Sequence, residues 1–202
     1  MSALNKFIQD IYKTNPQRLF FLSLGNPGSQ YNNTRHNAGH EALSYILNQC
    51  GDTDIVFSNK NLIVQRHRDL PIYFGRSLTY MNTSVKAFDA IPSALAPFTL
   101  VVVHDDLDTP LGEVKFKMPS VQTGAHGGLT SLQTRIKYPY MRMKVGIGKP
   151  VRREKGHVAK YVLSKYSPAE KELFLSKTLP KAYETVEKIE PAMRKWNKAN
   201  SS

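Results

Sequence analysis

The chain has 202 residues, enough for one domain with a sizeable core. Its 28 lysines and arginines against 16 aspartates and glutamates give a net charge of +12, which predicts attraction to polyanions, either nucleic acid or an anionic membrane surface. Membrane insertion is excluded because no run approaches the roughly 18 apolar residues of a span, and the lone Cys50 excludes an internal disulfide and favours a reducing intracellular compartment, cytoplasmic or mitochondrial.

The first element is an expected N-terminal extension, residues 1–17, ahead of a main domain that spans residues 18–198. Apolar residues recur at helical spacing around Phe7 and Ile11. An amphipathic basic segment at this place is either a packed helix or a weak targeting peptide. The packed helix is favoured because Asp10 interrupts the pattern and arginine is scarce.

The next stretch has the pattern of a strand, a polar turn and a helix. Phe20–Leu24 is short and apolar, which is typical of a strand buried on both faces, and Gly25–Gly28 has the composition of a tight turn. Helical spacing begins at Ala38, with Thr34 or Asn37 as the N-cap. The junction, where open α/β sheets commonly bind ligands, gathers four polar residues: Asn26, Arg35, His36 and Asn37.

The middle of the chain begins with a loop and a pair of strands. The loop is expected at residues 51–54, and the strands are expected at Leu62–His67 and Ile72–Phe74, on either side of a turn. Thr79–Ser84 then opens a short helix that Pro92 ends.

Three more strands and a helix are predicted before the C-terminal region. Leu100–Val103 is the clearest buried strand, and it leads directly into His104–Asp108. In Val114–Lys117 the alternation of a strand places both lysines on one face. Gly124–Gly128 precedes the helix, and Met143–Gly148 has the apolar run of another buried strand.

The C-terminal region, residues 167–198, is expected to be helical. Ser167–Glu170 combines an N-cap serine, a proline at the first helical position and a glutamate three residues after the cap. Pro180 and Pro191 are expected to divide the remainder into two further amphipathic helices. Strands that alternate with helices indicate an α/β fold of a single domain, with a mixed, mostly parallel β-sheet flanked by helices.

Several common ligand-binding and catalytic motifs are absent. His36 and His40 have the spacing of metal ligands on a helix, but a third ligand at helical spacing is missing. The aspartates of His104–Asp108 lack the glycine and the distal glutamate of an EF-hand loop. The chain has neither the Gly-x-Ser-x-Gly of a nucleophile elbow nor the Gly-x-x-x-x-Gly-Lys of a phosphate loop. The sequence therefore predicts no metal and no cofactor.

What remains is a candidate general base. His36 lies at one strand-to-helix junction, and Asp105 follows a second buried strand. An aspartate that holds the tautomer and stabilises the imidazolium allows a histidine to take a proton from water. Asn26 and Asn82 are neutral amide donors suited to a developing oxyanion. Each of these residues taken singly is more often structural, since caps and turns use asparagine and aspartate routinely.

The order of short motifs resembles one known family. These motifs are Leu24–Gly28, Tyr31 with Thr34–Gly39, Tyr80–Asn82, His104–Asp108, Gly112 with Lys115–Lys117, Gly146–Gly148 with Pro150, and Tyr161–Lys165. Through them the chain resembles the bacterial-type peptidyl-tRNA hydrolases over roughly residues 18–196. The resemblance implies a peptidyl-tRNA hydrolase-like fold. It also implies hydrolysis of the ester that joins a peptide, or an N-blocked amino acid, to the 3′ ribose of tRNA.

The resemblance further implies roles for individual residues. The catalytic base and its partner are His36 and Asp105. The residues expected to bind the substrate are Asn26, Tyr31, Met81, Asn82 and Thr130. The cations expected to bind tRNA are Lys115, Lys117 and Lys144, although the family usually has an arginine at the last place and a lysine lacks its bidentate fork. The family needs no metal or cofactor, and the implied partner is tRNA, with no obligatory protein partner and a monomeric state.

One loop departs from the family pattern. The family continues from His-Gly-Gly into His-Asn-Gly-Leu, whereas His126–Gly128 is followed here by Leu129 and Thr130. In this alignment Leu129 replaces the histidine, and Thr130 replaces an asparagine that helps to place the substrate. If that asparagine acts in the transition state, its loss slows hydrolysis roughly 10²-fold. The alternative is that Asn26 and Asn82 suffice.

The changed loop leaves a second function open. A non-hydrolytic RNA-binding relative, similar to the intron-splicing factors that share this fold in chloroplasts, would bind RNA in a salt-sensitive manner without turnover. The basic residues near the loop that motivate it are Lys144, Lys149, Arg152, Arg153 and Lys155. The enzyme is preferred because a pure binder has no evident need for a base and its carboxylate.

Overall fold

The residues described in this computed structural model are 2–14, 18–120, 125–152 and 154–200, and they form one sheet flanked by helices. The helices are α1 (Ala3–Thr14), α2 (Ala38–Gln49), α3 (Val85–Asp89), α4 (Gly127–Gln133), α5 (Lys155–Leu163), α6 (Pro168–Leu173) and α7 (Leu179–Asn200), with a π-helical segment, Phe174–Thr178, between the last two. The strands are β1 (Leu19–Ser23), β2 (Thr53–Ser58), β3 (Leu62–His67), β4 (Ile72–Ser77), β5 (Thr99–Asp106), β6 (Val114–Ser120) and β7 (Tyr140–Gly146). Short 3-10 turns occur at Ser29–Tyr31, Arg35–Asn37, Met81–Thr83 and Ser93–Leu95.

The strands form a mixed sheet in the order β2-β3-β4-β1-β5-β7-β6. The pairings β4-β1, β1-β5 and β5-β7 are parallel, and the pairings β2-β3, β3-β4 and β6-β7 are antiparallel. The expected α/β fold with a mixed sheet flanked by helices is confirmed. The expectation that the sheet is mostly parallel is wrong: among the described strands, parallel pairing is confined to the four central strands, and the three parallel pairings are matched by three antiparallel ones, because β2-β3, β3-β4 and β6-β7 pair antiparallel at the two sides of the sheet.

Apolar residues on both faces of the sheet form two core clusters, which is why the central strands are apolar throughout. In β1, Leu19 and Phe21 belong to the cluster that also contains residues of α1, α2 and α7. Phe20 and Leu22 belong to the cluster on the opposite face, with residues of α3 and α4. Since β1 lies between β4 and β5, its carboxyl end lies between two helical layers.

Residues Ala3–Thr14 of the N-terminal segment form a helix that packs on the rest of the fold. Phe7 and Ile11 of α1 are buried, and Phe7 stacks on Phe116 of β6 with ring centroids 5.1 Å apart. The same helix packs against α7. Within the described ranges, no helix combines the length and the apolar character required to cross a membrane.

Two strands differ from the expectation. The loop expected at residues 51–54 instead contains the start of β2, an edge strand whose residues are largely exposed and therefore lack the apolar alternation that reveals a strand. β5 continues to Asp106, because its parallel pairing with β7 extends that far. His104 and Asp105 therefore lie inside a strand and not in the loop after it.

The C-terminal helices keep the predicted start but not the predicted division. The Ser167 hydroxyl accepts from the N–H of Glu170, and the Glu170 carboxylate accepts from the N–H of Ser167, which confirms the capping box. Pro180 is the second residue of α7, directly after the π-helical segment, whose wider turn accommodates a residue without an N–H. The division at Pro191 is wrong, because α7 continues through it, held by buried apolar neighbours such as Ile189.

Candidate active site

The candidate site lies at the carboxyl ends of the central strands β1 and β5. His36 is in the 3-10 turn between β1 and α2, and Asp105 is near the end of β5. The Nδ1 of His36 lies 3.0 Å from Oδ1 and 2.9 Å from Oδ2 of Asp105. The His36 side chain is 15% exposed and the Asp105 side chain 2% exposed, so the imidazole is open to solvent and the carboxylate is not. The structure thus brings the predicted pair together.

The hydrogen bond fixes the protonation of the His36 ring. Because a carboxylate only accepts, Nδ1 carries the hydrogen and Nε2 keeps a lone pair. Burial acts to lower the pKa of His36, but the charge and the hydrogen bond of Asp105 outweigh it, so that the pKa lies above the ordinary 6.5. Burial acts to raise the pKa of Asp105, but His36 and His126 outweigh it and hold that pKa well below its usual range. The carboxylate therefore stays ionised beside a partly exposed imidazole.

His126 is a second donor to Asp105, and the sequence patterns do not assign it this role. Its Nε2 lies 2.8 Å from Oδ1 of Asp105, and its Nδ1 accepts from the N–H of Leu129 at 3.3 Å. The two bonds place the hydrogen on Nε2, which is the opposite tautomer to that of His36. His126 is the N-cap of α4, so the start of this helix aims the ring at the carboxylate.

A third imidazole supports this arrangement. His104 precedes Asp105 in β5, and its Nδ1 donates to the carbonyl oxygen of Asp105 at 2.7 Å. Burial lowers the pKa of His104 to about 3, so the ring is neutral. It packs edge-on against the His126 ring, with centroids 4.9 Å apart. His104 therefore holds His126 in place without adding charge.

Asn26 and Asn37 tie the turn after β1 to the start of α2. The Oδ1 of Asn37 accepts from the N–H of Asn26 at 2.8 Å, and its Nδ2 donates to the Asn26 carbonyl at 3.0 Å. Asn37 is the N-cap of α2 by position, but its side chain makes these bonds and does not cap the helix. The Oδ1 of Asn26 accepts from the N–H of Met81 at 2.8 Å, so this contact does not use the NH2 group of Asn26. Asn26 and Met81 are both buried.

The remaining predicted substrate-binding residues, Asn82 and Tyr31, lie near Asn26 and Met81. Asn82 is exposed in the 3-10 turn after Tyr80, and its Oδ1 faces Gly127 at the start of α4. Tyr31 is half-buried and lies edge-on to the Tyr80 ring, with centroids 6.2 Å apart. Contact of these side chains with a substrate stays a prediction.

Arg35 connects the site to the C-terminal helices. Its guanidinium is buried, and Nη2 donates to both carboxylate oxygens of Glu170 at 2.7 Å. Nη1 donates to the Ser164 hydroxyl at 2.6 Å, and the guanidinium lies over the Tyr161 ring, 4.3 Å from its centroid. Because Arg35 is the chain neighbour of His36, these contacts fix the backbone that carries the base.

A row of cations runs from the site to the edge of the sheet. Lys144 of β7 is the register partner of His104 on one side and of Lys115 of β6 on the other. With strands about 4.8 Å apart, the Lys115 backbone lies roughly 10 Å from that of His104. Lys115 and Lys117 are exposed on one face, as the alternation predicts. Lys144 forms an ion pair with Asp106 at 3.1 Å, so the two β6 lysines are the more accessible cations.

Other basic residues near this row have different surroundings. Arg142, the register partner of Lys117, is a buried cation that the sequence patterns do not single out, and its Nε and Nη2 have no hydrogen-bond partner among the described residues. Lys149 forms an ion pair with Asp108 at 2.7 Å. Arg152 is exposed. Arg153 and the side chain of Lys155 lie outside the described residues.

The loop before α4 requires a correction to the alignment based on resemblance. Leu129 is buried in a core cluster, and Thr130 is exposed on α4, so the structure does not bring Thr130 to the site. The imidazole beside Asp105 comes from His126. His126–Leu129 therefore matches His-Asn-Gly-Leu with one change, a glycine in place of the asparagine. The signal was present in the sequence, a few residues earlier than the alignment placed it.

Two groups of side chains in the described ranges have donor atoms close enough to surround a metal ion. In the first group, His36 and His126 both direct ring N–H groups at Asp105. A metal ligand needs a lone pair and not an N–H, so these hydrogen bonds do not fit a metal centre.

The second group, Cys50, His67 and Glu190, lies away from the site. The N–H of Asp69 donates to Nδ1 of His67 at 3.2 Å, which places the ring hydrogen on Nε2, the atom that faces Glu190 at 3.9 Å. A metal-binding histidine has the opposite arrangement, with its outer N–H donated to an acceptor. Burial also raises the pKa of the Cys50 thiol to about 12, so the thiol is protonated at neutral pH.

Sequence comparison places these features among known proteins. A family model described as peptidyl-tRNA hydrolase matches residues 20–202. A protein from Sulfurovum sp. (strain NBC37-1) named peptidyl-tRNA hydrolase is 36% identical over 153 residues, which cover 74% of this chain and 78% of the relative. A protein of the same name from Wolinella succinogenes is 31% identical over 177 residues, which cover 88% of this chain and 90% of the relative.

Solved structures show the same similarity. The crystal structure of peptidyl-tRNA hydrolase from Acinetobacter baumannii matches with a TM-score of 0.69 and 28% identity, covering 90% of this chain and 95% of that chain. A crystal structure of an arginine-to-glutamine mutant of peptidyl-tRNA hydrolase from the same organism matches with a TM-score of 0.71, 27% identity and the same coverage. The similarity therefore extends over nearly the whole described sheet and its helices.

Proposed function

The chain belongs to the peptidyl-tRNA hydrolase family and hydrolyses peptidyl-tRNA, and we propose that His36 and Asp105 carry this reaction as base and partner. The observation that supports the assignment is the hydrogen bond between Nδ1 of His36 and the buried carboxylate of Asp105, because it leaves the lone pair on Nε2 of a partly exposed ring. The substrate is the ester between a peptide, or an N-blocked amino acid, and the 3′ ribose of tRNA.

In the proposed reaction, His36 first takes a proton from water and later gives it to the leaving ribose oxygen. Nε2 of His36 takes a proton from water as the water oxygen attacks the ester carbonyl carbon, and ionised Asp105 stabilises the imidazolium. The amides of Asn26 and Asn82 donate to the oxyanion that develops on the carbonyl oxygen. When the tetrahedral intermediate collapses, its bond to the ribose oxygen breaks. The imidazolium returns the proton to that oxygen, and the products are free tRNA and a carboxylic acid.

The proposed tRNA contacts are Lys115, Lys117 and Lys144. Their row leads away from the catalytic pair along the sheet, and phosphate contacts of this kind position a nucleic acid without reading its sequence. Lys115 and Lys117 contribute more than Lys144, since Asp106 already neutralises the latter. Binding is accordingly broad across tRNA species.

We also propose that the protein acts inside the cell as a monomer that needs no protein partner, metal or cofactor. The free thiol of Cys50 fits a reducing compartment. The relatives named above are bacterial, which favours the cytoplasm over a mitochondrion.

The test compares His36→Ala with His157→Ala, a control that removes an exposed histidine of α5. Release of the acyl group from N-blocked aminoacyl-tRNA is measured with a chelator present. Wild type and the control hydrolyse the substrate equally, whereas His36→Ala loses at least about 10³-fold in rate. Equal rates for His36→Ala and wild type contradict the assignment of the base.

The same assay separates the enzyme from a non-hydrolytic RNA binder. That alternative rested on a loop without its histidine, and His126 occupies the position beside Asp105. Salt-sensitive tRNA binding without turnover in the wild type is the result that favours the binder.

A further inference from the structure

Gly127 is a glycine that the backbone does not require. It is the first residue of α4, and its φ is outside the positive range in which L side chains are strained. Glycine in a helix is up to about 1 kcal/mol less stable than alanine, because it loses more conformational freedom on folding. The presence of glycine at this position therefore needs a reason other than backbone geometry.

The space beside Gly127 is occupied by the amide of Asn82. A β-carbon built at position 127 would overlap the Oδ1 of Asn82, and its second neighbour within 4 Å is the Cγ carbon of the same amide. The overlapping atom is the end of an exposed, movable side chain, so a side chain at 127 would displace the amide and leave the fold intact. Gly127 also follows His126, which donates to the catalytic carboxylate.

We propose that Gly127 is a positioning residue for hydrolysis: by lacking a side chain, it keeps the amide of Asn82 at the place where it contacts the reacting ester. The proposal rests on the role of Asn82 proposed above. Where the family pattern has an asparagine, this chain has Gly127, and the amide of Asn82 extends toward the space that a side chain there would occupy. With glycine in place of this asparagine, hydrolysis depends on the position of the exposed Asn82 amide beside the start of α4.

The experiment is a double-mutant cycle with Gly127→Ala and Asn82→Ala in the full-length protein. Gly127→Ala lowers kcat for N-blocked aminoacyl-tRNA roughly 10- to 100-fold, the range expected when a reacting group is misplaced by about 1 Å. Its KM stays within twofold, and its thermal midpoint is unchanged or higher. In the Asn82→Ala background the same change lowers kcat by less than twofold, because the amide it would displace is gone.

Gly156→Ala is the matched control. Gly156 is also in the first turn of a helix, α5, and a β-carbon built there meets no atom within 4 Å. Its replacement leaves kcat unchanged, which separates the loss of Asn82 geometry from the general effect of removing a helical glycine.

Three results overturn the proposal. They are an unchanged kcat for Gly127→Ala, an equal loss in both backgrounds, and a loss for Gly127→Ala while Asn82→Ala has none. None of them affects the assignment of the base, which fails only if His36→Ala retains activity, so the two conclusions are tested separately.

Discussion

The chemistry of this site depends on one carboxylate that two imidazoles share. Asp105 accepts from Nδ1 of His36 and from Nε2 of His126, and each ring is therefore held in a different tautomer. The His36 side chain is partly exposed, whereas the second nitrogen of His126 is used to cap α4. This difference between the two rings is the reason for proposing His36, and not His126, as the base.

The first prediction concerns the pKa of His36. Burial lowers this pKa and Asp105 raises it, with the carboxylate dominant, so Asp105→Asn leaves burial unopposed and moves the pKa to a lower value. A titration of the His36 ring by NMR measures the change. An inflection at or above the wild-type value in Asp105→Asn contradicts this account.

The direction of the shift also determines the pH dependence of activity and stability. His36 acts as a base only when neutral, so the rate rises with pH through a pKa above 6.5.

The raised pKa of His36 contributes stability that is fully present below 6.5 and is lost as pH rises through the folded value. The depressed pKa of Asp105 contributes stability that is present above 3.8 and is lost as pH falls toward the folded value.

The second prediction separates the two roles of His126. His126→Asn keeps an N-cap for α4 but does not reach Asp105, whereas His126→Ala loses both functions. A hydrogen bond to a charged group contributes about 1.5–3 kcal/mol, so both variants lose roughly 10- to 100-fold in kcat. Both variants also lose the stability that this bond contributes to folding, and His126→Ala loses about 1 kcal/mol more than His126→Asn in the free energy of unfolding, because it loses the cap as well.

Steady-state kinetics and urea unfolding of the two variants distinguish these effects. Retention of wild-type kcat by His126→Asn would limit His126 to capping the helix.

At the scale of secondary structure, a contact between distant segments holds the base in place. The turn that contains His36 is bonded to the end of α5 and the start of α6 through Arg35, which contacts Ser164 and Glu170. The N–H of Arg35 also donates to the carbonyl of Ser164 at 3.1 Å. The capping box of α6 orients Glu170 for this contact.

The third prediction tests that contact. Arg35→Lys keeps the charge but cannot bond Glu170 and Ser164 at the same time through two nitrogens, and it loses the stacking on Tyr161, so the free energy of unfolding falls by about 1–3 kcal/mol. The matched control is Arg135→Lys, which alters an exposed pair with Asp89 and changes stability by less than about 0.5 kcal/mol. Chemical unfolding measures the stability of both variants. Equal losses would show that the buried Arg35 contact contributes no more than the exposed Arg135 pair.

Local patterns predicted some elements well and others poorly. β1, α2 and the cap of α6 agree with their patterns, because each depends on residues close in sequence. β2 was not recognisable because an edge strand with exposed side chains carries no apolar alternation. The continuation of α7 through Pro191 was not recognisable because burial against the sheet outweighs the local preference of proline.

At the scale of the whole molecule, the net charge of +12 attracts polyanions in general, and the sheet places exposed lysines near the site. β6 presents Lys115 and Lys117 on one face because Phe116 between them packs on the opposite side with α1. The N-terminal helix thereby supports the strand that carries the accessible cations.

The fourth prediction concerns salt dependence. Lys117→Ala weakens tRNA binding and reduces the slope of log K against log salt by roughly one, with kcat unchanged. The control is Lys188→Ala on α7, which packs on the other face of the sheet and should leave the slope unchanged. Binding measured over a series of salt concentrations tests this, and equal slopes for Lys117→Ala and wild type would exclude Lys117 from the tRNA contact.

The sequence by itself determined the fold class, the central apolar strands, the basic character and the family resemblance, because these depend on composition, periodicity and short motifs. Only the tertiary structure decided which side chains meet. His36, Asp105 and His126 come from three separate segments, and their contact follows from the adjacency of β1 and β5 and from the helix that starts at His126. The space that Gly127 leaves for Asn82 has the same origin, since contacts across a fold depend on strand order and register, which no local pattern contains.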